Sequence, residues 1–471
     1  MRAFFYTIQK WRLSLASDRR GSVLMLVIVF GSIATTMIIT GLASYAIFES
    51  RVSNKKQARD LSFHVAEAGI NYYRWHLAHD PNDYQDGGNS SGPYVHEYVD
   101  KDGTVIGYFS LDIDPPLSGA TIVTVRSTGW TLWEPNATRT IQARFGFPSL
   151  TDYAFVENTD MAFSQTTVVH GKVHANGGIK FDGTADATIE SAKETYTYSG
   201  QTKPGVWGVG GPTGFWEFPV PNKDFGAISA DLGALRDLAD AGGIHLNSSG
   251  KEGYYLHFIG TQFQLYKVKS RSCYYGDPYY SRGYWYWGVV CYDKNSTQSL
   301  GTYTIPANGA IFVEDTVWVD GVVDGRVTIG AGRFPVSEST YRDIIVTGNL
   351  TYNAVGSDDV VGLIAQRDVV VPYSVPNDME IDAAALAQYG KIRRPYYAEF
   401  YGGAVRNSLL FFGSQISFSG GGWKYITQSN QVISGFVNTN HTYDGNLRYL
   451  PPPSFPVEST YELISWEEIE T

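Results

Sequence analysis

Cysteine is nearly absent from this chain: Cys273 and Cys291 are the only two thiols among 471 residues. That scarcity excludes CxxC redox and zinc motifs. The HExxH, P-loop and GxGxxG signatures of metalloproteases and nucleotide-binding proteins are missing as well. We therefore predict no catalytic site, no metal and no cofactor. The two cysteines, 18 residues apart, suit one disulfide in a body outside the cytosol, and two unpaired buried thiols are the alternative.

Charged residues make up only 18% of the chain, and their signs are unevenly placed. Residues 1–21 hold five basic side chains and one acidic, whereas the remainder holds 31 basic and 46 acidic. A body this acidic repels phosphate backbones, so we predict no nucleic-acid partner. Aromatic residues reach 14%, which favours strands over helical bundles.

No Asp, Glu, Lys, Arg or His occurs in the 28 residues from Gly21 to Phe48. As a helix this run would be about 42 Å long, enough to cross a hydrocarbon core of about 30 Å. It is longer than the apolar region of a cleaved secretory signal, the rival interpretation. The basic residues before it predict a cytoplasmic N-terminus and an external body. The membrane helix is expected to begin with Val23, Leu24, Leu26, Val27, Ile28 and Phe30.

The helical pattern continues beyond the apolar run, because no proline interrupts the chain between Glu49 and His76. Asp80-Pro81 then ends it. We expect one helix over residues 22–80, half in lipid and half packed on protein. Its apolar face is predicted from residues that recur at steps of three and four: Leu61, Val65, Ala68, Tyr72 and Trp75.

The basic leader, the uncharged helix and the segment that follows it together resemble type IV pilin-like proteins, above all minor pilins and pseudopilins. The pattern A…AF..AEAG.N of that group is matched by Ala58, Phe63, Ala66, Glu67, Ala68, Gly69 and Asn71. The resemblance implies a leader over residues 1–21 that a prepilin peptidase cuts between Gly21 and Ser22. It also implies methylation of the new N-terminus and other pilin subunits as partners.

Two positions depart from the family pattern: Ser22 and Leu26 stand where major pilins mostly carry Phe and Glu. In the family, that Glu is thought to pair with the N-terminus of the preceding subunit, and an unpaired carboxylate in lipid is costly. A subunit without it needs no predecessor, so we expect a tip or initiating position in a pilus or pseudopilus. A generic single-pass anchor holding a surface domain is the alternative.

The body is predicted to be α+β, in two parts. Residues 94–147 alternate as short strands, which predicts a small antiparallel pilin-like head over residues 81–148. Over residues 149–471, apolar runs start at Ile311, Val327, Ile344 and Val361, 16 or 17 residues apart. This spacing favours a right-handed parallel β-helix, with a β-sandwich as the alternative. Residues 378–389 are expected to be helical, and the tail around Trp466 to close the last coil.

The segment 273–291 is unusually aromatic, with eight Tyr or Trp among its 19 residues. Such side chains offer large contact areas at low entropic cost. A disulfide-closed loop of this kind is a candidate adhesive surface for a glycan or another receptor, and packing over a β-coil is the alternative. The candidate residues are Tyr279, Tyr280, Tyr284, Trp285, Tyr286 and Trp287.

Together these features predict a minor-pilin-like subunit that acts in filament assembly, initiation and adhesion. It would reside in the cell membrane before assembly and at the pilus or cell surface afterwards. One alternative is a membrane-anchored β-helical adhesin. The other is a carbohydrate-active β-helix enzyme, for which Asp315, Asp320, Asp324 and Arg326 could supply an acidic wall with a basic catalyst, although they fit solvated turns equally well.

Overall fold

The structure is a computed structural model that describes residues 19–116, 121–147, 149–225, 231–281, 283–427, 429, 431–448, 450–457 and 461–469. Most of the predicted leader therefore lies outside the described residues. The helices are α1 (Arg19–His79) and α2 (Asp231–Gly242), with short 3-10 turns at Leu150–Asp152, Thr213–Phe215, Glu338–Thr340 and Gly445–Arg448.

Strands make up most of the body. The strands before α2 are β1 (Tyr94–Val99), β2 (Val105–Asp114), β3 (Val123–Thr131), β4 (Arg139–Gly146), β5 (Phe155–Glu157), β6 (Met161–Phe163), β7 (Thr167–His170), β8 (Val173–Ala175), β9 (Ile179–Phe181), β10 (Thr184–Ala185), β11 (Ile189–Ser191), β12 (Thr195–Tyr198), β13 (Gln201–Pro204), β14 (Val206–Trp207) and β15 (Trp216–Glu217). Those after it are β16 (Ile244–Leu246), β17 (Gly253–Gly260), β18 (Gln262–Ser281), β19 (Tyr284–Thr304), β20 (Ala310–Val313), β21 (Thr316–Val323), β22 (Arg326–Ala331), β23 (Ile344–Tyr352), β24 (Val360–Ala365), β25 (Val369–Val370), β26 (Asp378–Ala387), β27 (Ile392–Arg393), β28 (Val405–Ser417), β29 (Gly421–Gly422), β30 (Lys424–Ile426), β31 (Val432–Thr442) and β32 (Glu462–Ile469).

Helix α1 has 61 residues and changes its surroundings half-way along. Every side chain from Val23 to Gln57 is exposed, and Ala58 is the first buried one. The buried face of the second half is rotated from the predicted stripe, since Trp75 is exposed and Leu61, Ala68 and Tyr72 are only half-buried. The buried face consists of Ala58, Ser62, Val65, Ala66, Ile70, Tyr73 and Leu77.

The second half of α1 packs on an antiparallel sheet in the order β1-β2-β3-β4-β32. Alternate residues of the three central strands face the helix, as the two-residue period of a strand requires. They form one apolar core with Val65, Ala66, Ile70, Tyr73 and Leu77 of the helix, and come from Phe109, Leu111, Val123, Val125, Ile141, Ala143 and Phe145.

The fifth strand of this sheet is the end of the described chain, which corrects the predicted role of the tail. Residues around Trp466 do not close a coil; β32 pairs antiparallel with β4. Arg139 forms an ion pair with Glu468, and the ring of Trp466 lies edge-on to Phe63 of α1 at 5.8 Å. Residues 462–469 thus belong to the helix-packed sheet and not to the region assigned to 149–471. The reason is that an amphipathic edge strand pairs with whichever edge tertiary structure brings close.

The remaining strands form a stack of parallel strands with three faces, here called the parallel stack. Its chain repeatedly passes face C, then face B, then face A. Face A runs β16-β20-β22-β24-β26-β28-β5-β8-β11-β15. Face B runs through the second parts of β17, β21 and β23, then β26-β28-β31-β7-β10. Face C runs through the first parts of β17, β21 and β23, then β25-β27-β29.

The order of coils in the parallel stack does not follow the order of the chain. The coils of residues 155–217 stack on the last coil of residues 405–442, through Gln415 opposite Phe155 and Thr439 opposite Thr167. After them the chain passes α2, which packs Leu232, Leu235 and Ala239 on the outside of face A, and enters the far end of the stack at β16. The first and last coils therefore meet in the middle, at a place here called the junction.

The segment predicted to be helical, residues 378–389, is mostly strand β26. Its residues from Ile381 to Ala387 are all buried except none, because one side faces the stack interior and the other is covered by packed chain. A strand buried on both sides loses the two-residue alternation that identifies strands in a sequence. The alanines of this segment then resemble a helix.

We expect Gly129→Ala to loosen α1 from its sheet. A Cβ at Gly129 would collide with the backbone carbonyl of Ser62 and lie 2.5 Å from the amide nitrogen of Ala66. Overpacking of this kind costs about 1–3 kcal/mol. Hydrogen exchange of the helical residues 58–79 in the full chain should speed up accordingly. Gly402→Ala is the control, since a Cβ there meets no atom within 4 Å; equal protection in both variants would contradict the packing described.

Candidate functional site

Three features of the described residues carry functional information: the exposed half of α1, the aromatic hairpin β18–β19 and a cleft at the junction. The exposed half is apolar enough to span a membrane, with a mean hydropathy of 2.4 over its best window and none of that window buried. Val23, Leu24, Leu26, Val27, Ile28 and Phe30 all lie on it and are exposed. An apolar surface of this extent in water is unfavourable, so it marks contact with lipid or protein.

The predicted processing site and the predicted pilin motif lie on the same helix. Gly21 and Ser22 are in the first turns of α1. Of the motif, Ala58, Ala66 and Gly69 are buried against the sheet, Phe63, Glu67 and Ala68 are half-buried, and Asn71 is exposed. A Cβ at Gly69 would lie 2.7 Å from the ring of Phe109. The motif's small residues therefore allow the close approach of helix and sheet.

The aromatic segment forms the end of a long antiparallel hairpin. Cys273 and Cys291 are bonded to each other across β18 and β19, with their Cα atoms 4.1 Å apart. Nearer the tip, Tyr279 faces Tyr286 and Tyr280 faces Trp285 across the two strands. The first pair of rings stacks at 5.6 Å, and the second meets at 5.4 Å and 61°.

The base of the hairpin is fastened to the parallel stack. The Asp277 carboxylate accepts hydrogen bonds from Arg393 Nη1 at 2.7 Å and from the backbone N–H of Tyr396 at 3.0 Å. Trp287 stacks on Tyr396, with centroids 5.7 Å apart. These contacts hold the hairpin against the stack and leave its end free.

The rings at the tip are largely exposed. Tyr284 and Trp285 expose 69% and 71% of their surface, and Tyr279 and Tyr280 are also more than half exposed. Tyr286 and Trp287 are less exposed. The two predicted alternatives therefore divide the hairpin: the rings near its base pack over the coils, whereas those at its tip form an open aromatic surface.

The junction is also where the parallel stack opens. Faces A and B continue across it by hydrogen-bonded pairing, but β29 of face C does not pair with β6, which belongs to a separate sheet β14-β9-β6. Strand β30 turns back and pairs antiparallel with β31 instead. The missing step leaves a cleft of about 850 Å³, here called the junction cleft, that reaches the interior of the stack.

The interior of the stack becomes polar at this level. Along face A, successive inward positions in two columns are Ile311, Ile329, Leu363, Ala385, Gln415, Phe155, Val173 and Ile189, and Val313, Ala331, Ala365, Ala387, Ser417, Glu157, Ala175 and Ser191. Along face B, Leu350, Ile381 and Phe411 are followed by His441. Gln415, Ser417, Glu157 and His441 thus gather where face C is interrupted.

The polar groups of the junction cleft are linked to one another. Gln415 Nε2 lies 2.9 Å from His441 Nδ1, and Trp423 Nε1 donates to Gln415 Oε1 at 3.1 Å. Lys424 Nζ donates to Thr166 Oγ1 at 2.7 Å and to the Val437 carbonyl at 3.1 Å. Among the described residues, no carboxylate forms an ion pair with Lys424.

Burial keeps the two titratable groups of the interior uncharged near neutral pH. It raises the pKa of Glu157 to about 8, against a hydrogen bond from Ser417 that lowers it. Burial and the nearby charge of Lys424 lower the pKa of His441 to about 3. Burial also lowers the pKa of Lys424 to about 8. A protonated Glu157 can donate as well as accept hydrogen bonds.

Sequence reasoning missed the junction cleft. The local signal was the appearance of Gln415 and His441 at inward positions of strands that are otherwise apolar. It could not be used, because the cleft joins strands that are about 270 residues apart in the chain, such as β31 and β7.

The residues considered for a carbohydrate-active wall each have separate partners. Asp320 accepts hydrogen bonds from Tyr255 and Thr347, both at 2.7 Å. Asp315 accepts the backbone N–H of Ser249, and Arg326 donates to the carbonyl of Pro451. In the described part of the chain, no group of three or more His, Cys, Asp or Glu side chains could hold a metal ion.

No protein-family model matches the chain, and no curated protein is significantly similar to it. Among solved structures, the competence-associated pilin ComZ from Thermus thermophilus is similar over 88% of this chain and 98% of that one, at 13% identity and a TM-score of 0.30. A likeness at this level does not establish a shared fold or function, so the functional argument rests on the residues themselves.

The pKa of Glu157 predicts a pH-dependent stability. Because the folded protein holds this proton up to about pH 8, the contribution of Glu157 is complete below its unfolded pKa and is lost as the pH rises towards 8. The slope is at most about 1.4 kcal/mol per pH unit. We expect Glu157→Gln to flatten the decline of the thermal midpoint between pH 5 and 8. The exposed Glu338→Gln should keep the wild-type profile; identical profiles for all three proteins would refute the assignment.

Proposed function

We propose that this chain is a minor-pilin-like subunit of a type IV pilus or related pseudopilus. The observation that carries the proposal is the division of α1. A generic anchor could end after its membrane span, whereas α1 continues without a break from the exposed apolar residues 23–48 into a half that forms the core of a sheet. Such a helix can leave the bilayer by exchanging lipid for neighbouring helices while its head stays folded.

The precursor would sit in the cell membrane with the leader in the cytoplasm and the body outside, as the basic residues before α1 favour. A prepilin peptidase would cut between Gly21 and Ser22, and the new N-terminus would be methylated. Because α1 already includes this bond, the first turn would have to unwind for the peptidase to bind an extended backbone.

A tip or initiating position is proposed on two grounds. Leu26 leaves no carboxylate near the N-terminus to pair with a preceding subunit. In addition, the chain beyond α1 is far larger than an ordinary domain of about 100–150 residues, and it would crowd a regular lattice of pilin heads. A subunit at the tip avoids both constraints.

We also propose that the parallel stack is a parallel β-helix, right-handed as most parallel crossovers are. Its role in this proposal is to display the aromatic hairpin for adhesion to a glycan or another receptor, without catalysis and without a cofactor. The alternative is that the same body works as an anchored surface adhesin outside any filament.

The filament proposal is tested by N-terminal sequencing of the mature protein and by blotting sheared filaments. We expect a chain beginning at Ser22 in the filament fraction. Gly21→Leu should abolish processing and remove the protein from that fraction, because a bulky side chain blocks the junction. Gly41→Leu, within the same exposed helix where a Cβ has free space, is the control. A wild-type chain that keeps its leader and stays in the membrane would support the anchored adhesin instead.

The adhesive role of the hairpin is tested separately. Replacing Tyr280, Tyr284 and Trp285 by Ala should reduce binding to the target surface by about tenfold or more, because exposed aromatic residues dominate such contacts. Trp287 is left intact because it stacks on Tyr396 and supports the hairpin. The control is Val209→Ala with Val355→Ala, which removes exposed apolar side chains elsewhere. Unchanged adhesion of the triple variant would rule the hairpin out.

A further inference from the structure

We propose that the junction cleft binds a saccharide, that is, an uncharged ligand with several hydroxyl groups on a ring with apolar faces. This site is distinct from the aromatic hairpin, and the argument for it does not depend on assembly into a filament. It starts from the interruption of face C between β29 and β6, which opens the stack interior to solvent.

The first argument is the cost of the polar residues at this level. Burying polar groups in place of apolar ones is unfavourable unless they find partners, and every neighbouring level of the same columns is built from Ile, Leu, Val, Ala or Phe. A stack that needed only stability would continue this pattern through the junction. The amide of Gln415 also has one N–H and one acceptor position more than its bonds to His441 and Trp423 use.

The second argument concerns the kind of ligand. Gln415, Ser417, Thr166 and Thr439 are neutral groups that both donate and accept hydrogen bonds, as hydroxyl groups of a ligand require. The lining also includes carboxylates, but Asp182 forms an ion pair with Lys180 at 2.9 Å. A lining of this balance favours an uncharged polar ligand over a strongly charged one.

The third argument is the apolar part of the wall. Phe155, Met161, Phe163 and Trp423 line the same cleft. Aromatic rings beside hydroxyl and amide groups suit a molecule with an apolar face and polar edges, and a sugar ring has both. The volume of about 850 Å³ is within the range of roughly 300–1,000 Å³ found for small-molecule sites. A short oligosaccharide therefore fits.

The structure offers a way to fill the cleft without disturbing the fold. Gly422 lines the cleft, and a Cβ built on it meets no atom within 4 Å. Gly422→Leu would place a side chain in the space that the ligand needs. Gly402 has equally open surroundings but does not line the cleft, so Gly402→Leu is a matched control.

The experiment is isothermal titration calorimetry on the full chain in phosphocholine-lipid nanodiscs, with cellotriose, chitotriose and trigalacturonate as probes. We expect at least one of the two neutral trisaccharides to bind with a Kd of about 1 mM or tighter. Gly422→Leu should weaken that binding by about tenfold or more. Gly402→Leu and the triple hairpin variant should leave it unchanged. Equal thermal midpoints of the two leucine variants will show that neither has unfolded.

Three results would overturn the proposal. The first is that neither neutral trisaccharide binds. The second is that only trigalacturonate binds, which would make Lys424 the recognition element and the ligand an anion. The third is that binding persists in Gly422→Leu, or is lost in the hairpin variant, which would place the sugar elsewhere. Failure of the filament proposal would leave these measurements unaffected, so the two can be judged independently.

Discussion

The contact between the second half of α1 and the five-stranded sheet is the interaction on which the rest of the molecule depends. Ala58, Ala66 and Gly69 bring the helix close to the sheet, and Gly129 lets a strand approach the helix backbone. Because no helix break separates this packed half from the exposed apolar half, the membrane segment and the folded body form one continuous element. Whatever moves the exposed half, whether lipid or a neighbouring helix, therefore also positions the body.

The same sheet ties the two ends of the body together. Strand β32 reaches it only after the chain has passed through the whole parallel stack, and Glu468 then pairs with Arg139 beside α1. The stack has a similar long-range closure, since coils of residues 155–217 complete it only by pairing with residues 405–442. Two of its three faces are continuous across this closure. The third is not, and the junction cleft exists because backbone pairing was satisfied on two faces while β30 turned back on the third.

The accuracy of the sequence-based predictions follows the range of the interactions involved. The helix boundary near His79 and the antiparallel strands between Tyr94 and Gly146 depend on neighbours in the chain, and they lie where expected. The parallel pairing of β20 to β24 was suggested by the regular spacing of their apolar runs, since each coil repeats the last. Strand β26 was mistaken for a helix because burial on both sides removed its alternation. The helix face was misplaced by part of a turn because Trp75 is apolar yet exposed.

By itself, the sequence determined the length of the apolar run, the continuity of the helix beyond it and the strand-rich character of the body. These are properties of composition and local periodicity, which a helix or a strand expresses without reference to distant residues. Only the tertiary structure decided that the last strand completes the first sheet, that the tip of the hairpin is open while its base is packed, and that polar side chains meet at the junction. Each of these depends on which surfaces remain unpaired after the coils have stacked, and local sequence does not encode that.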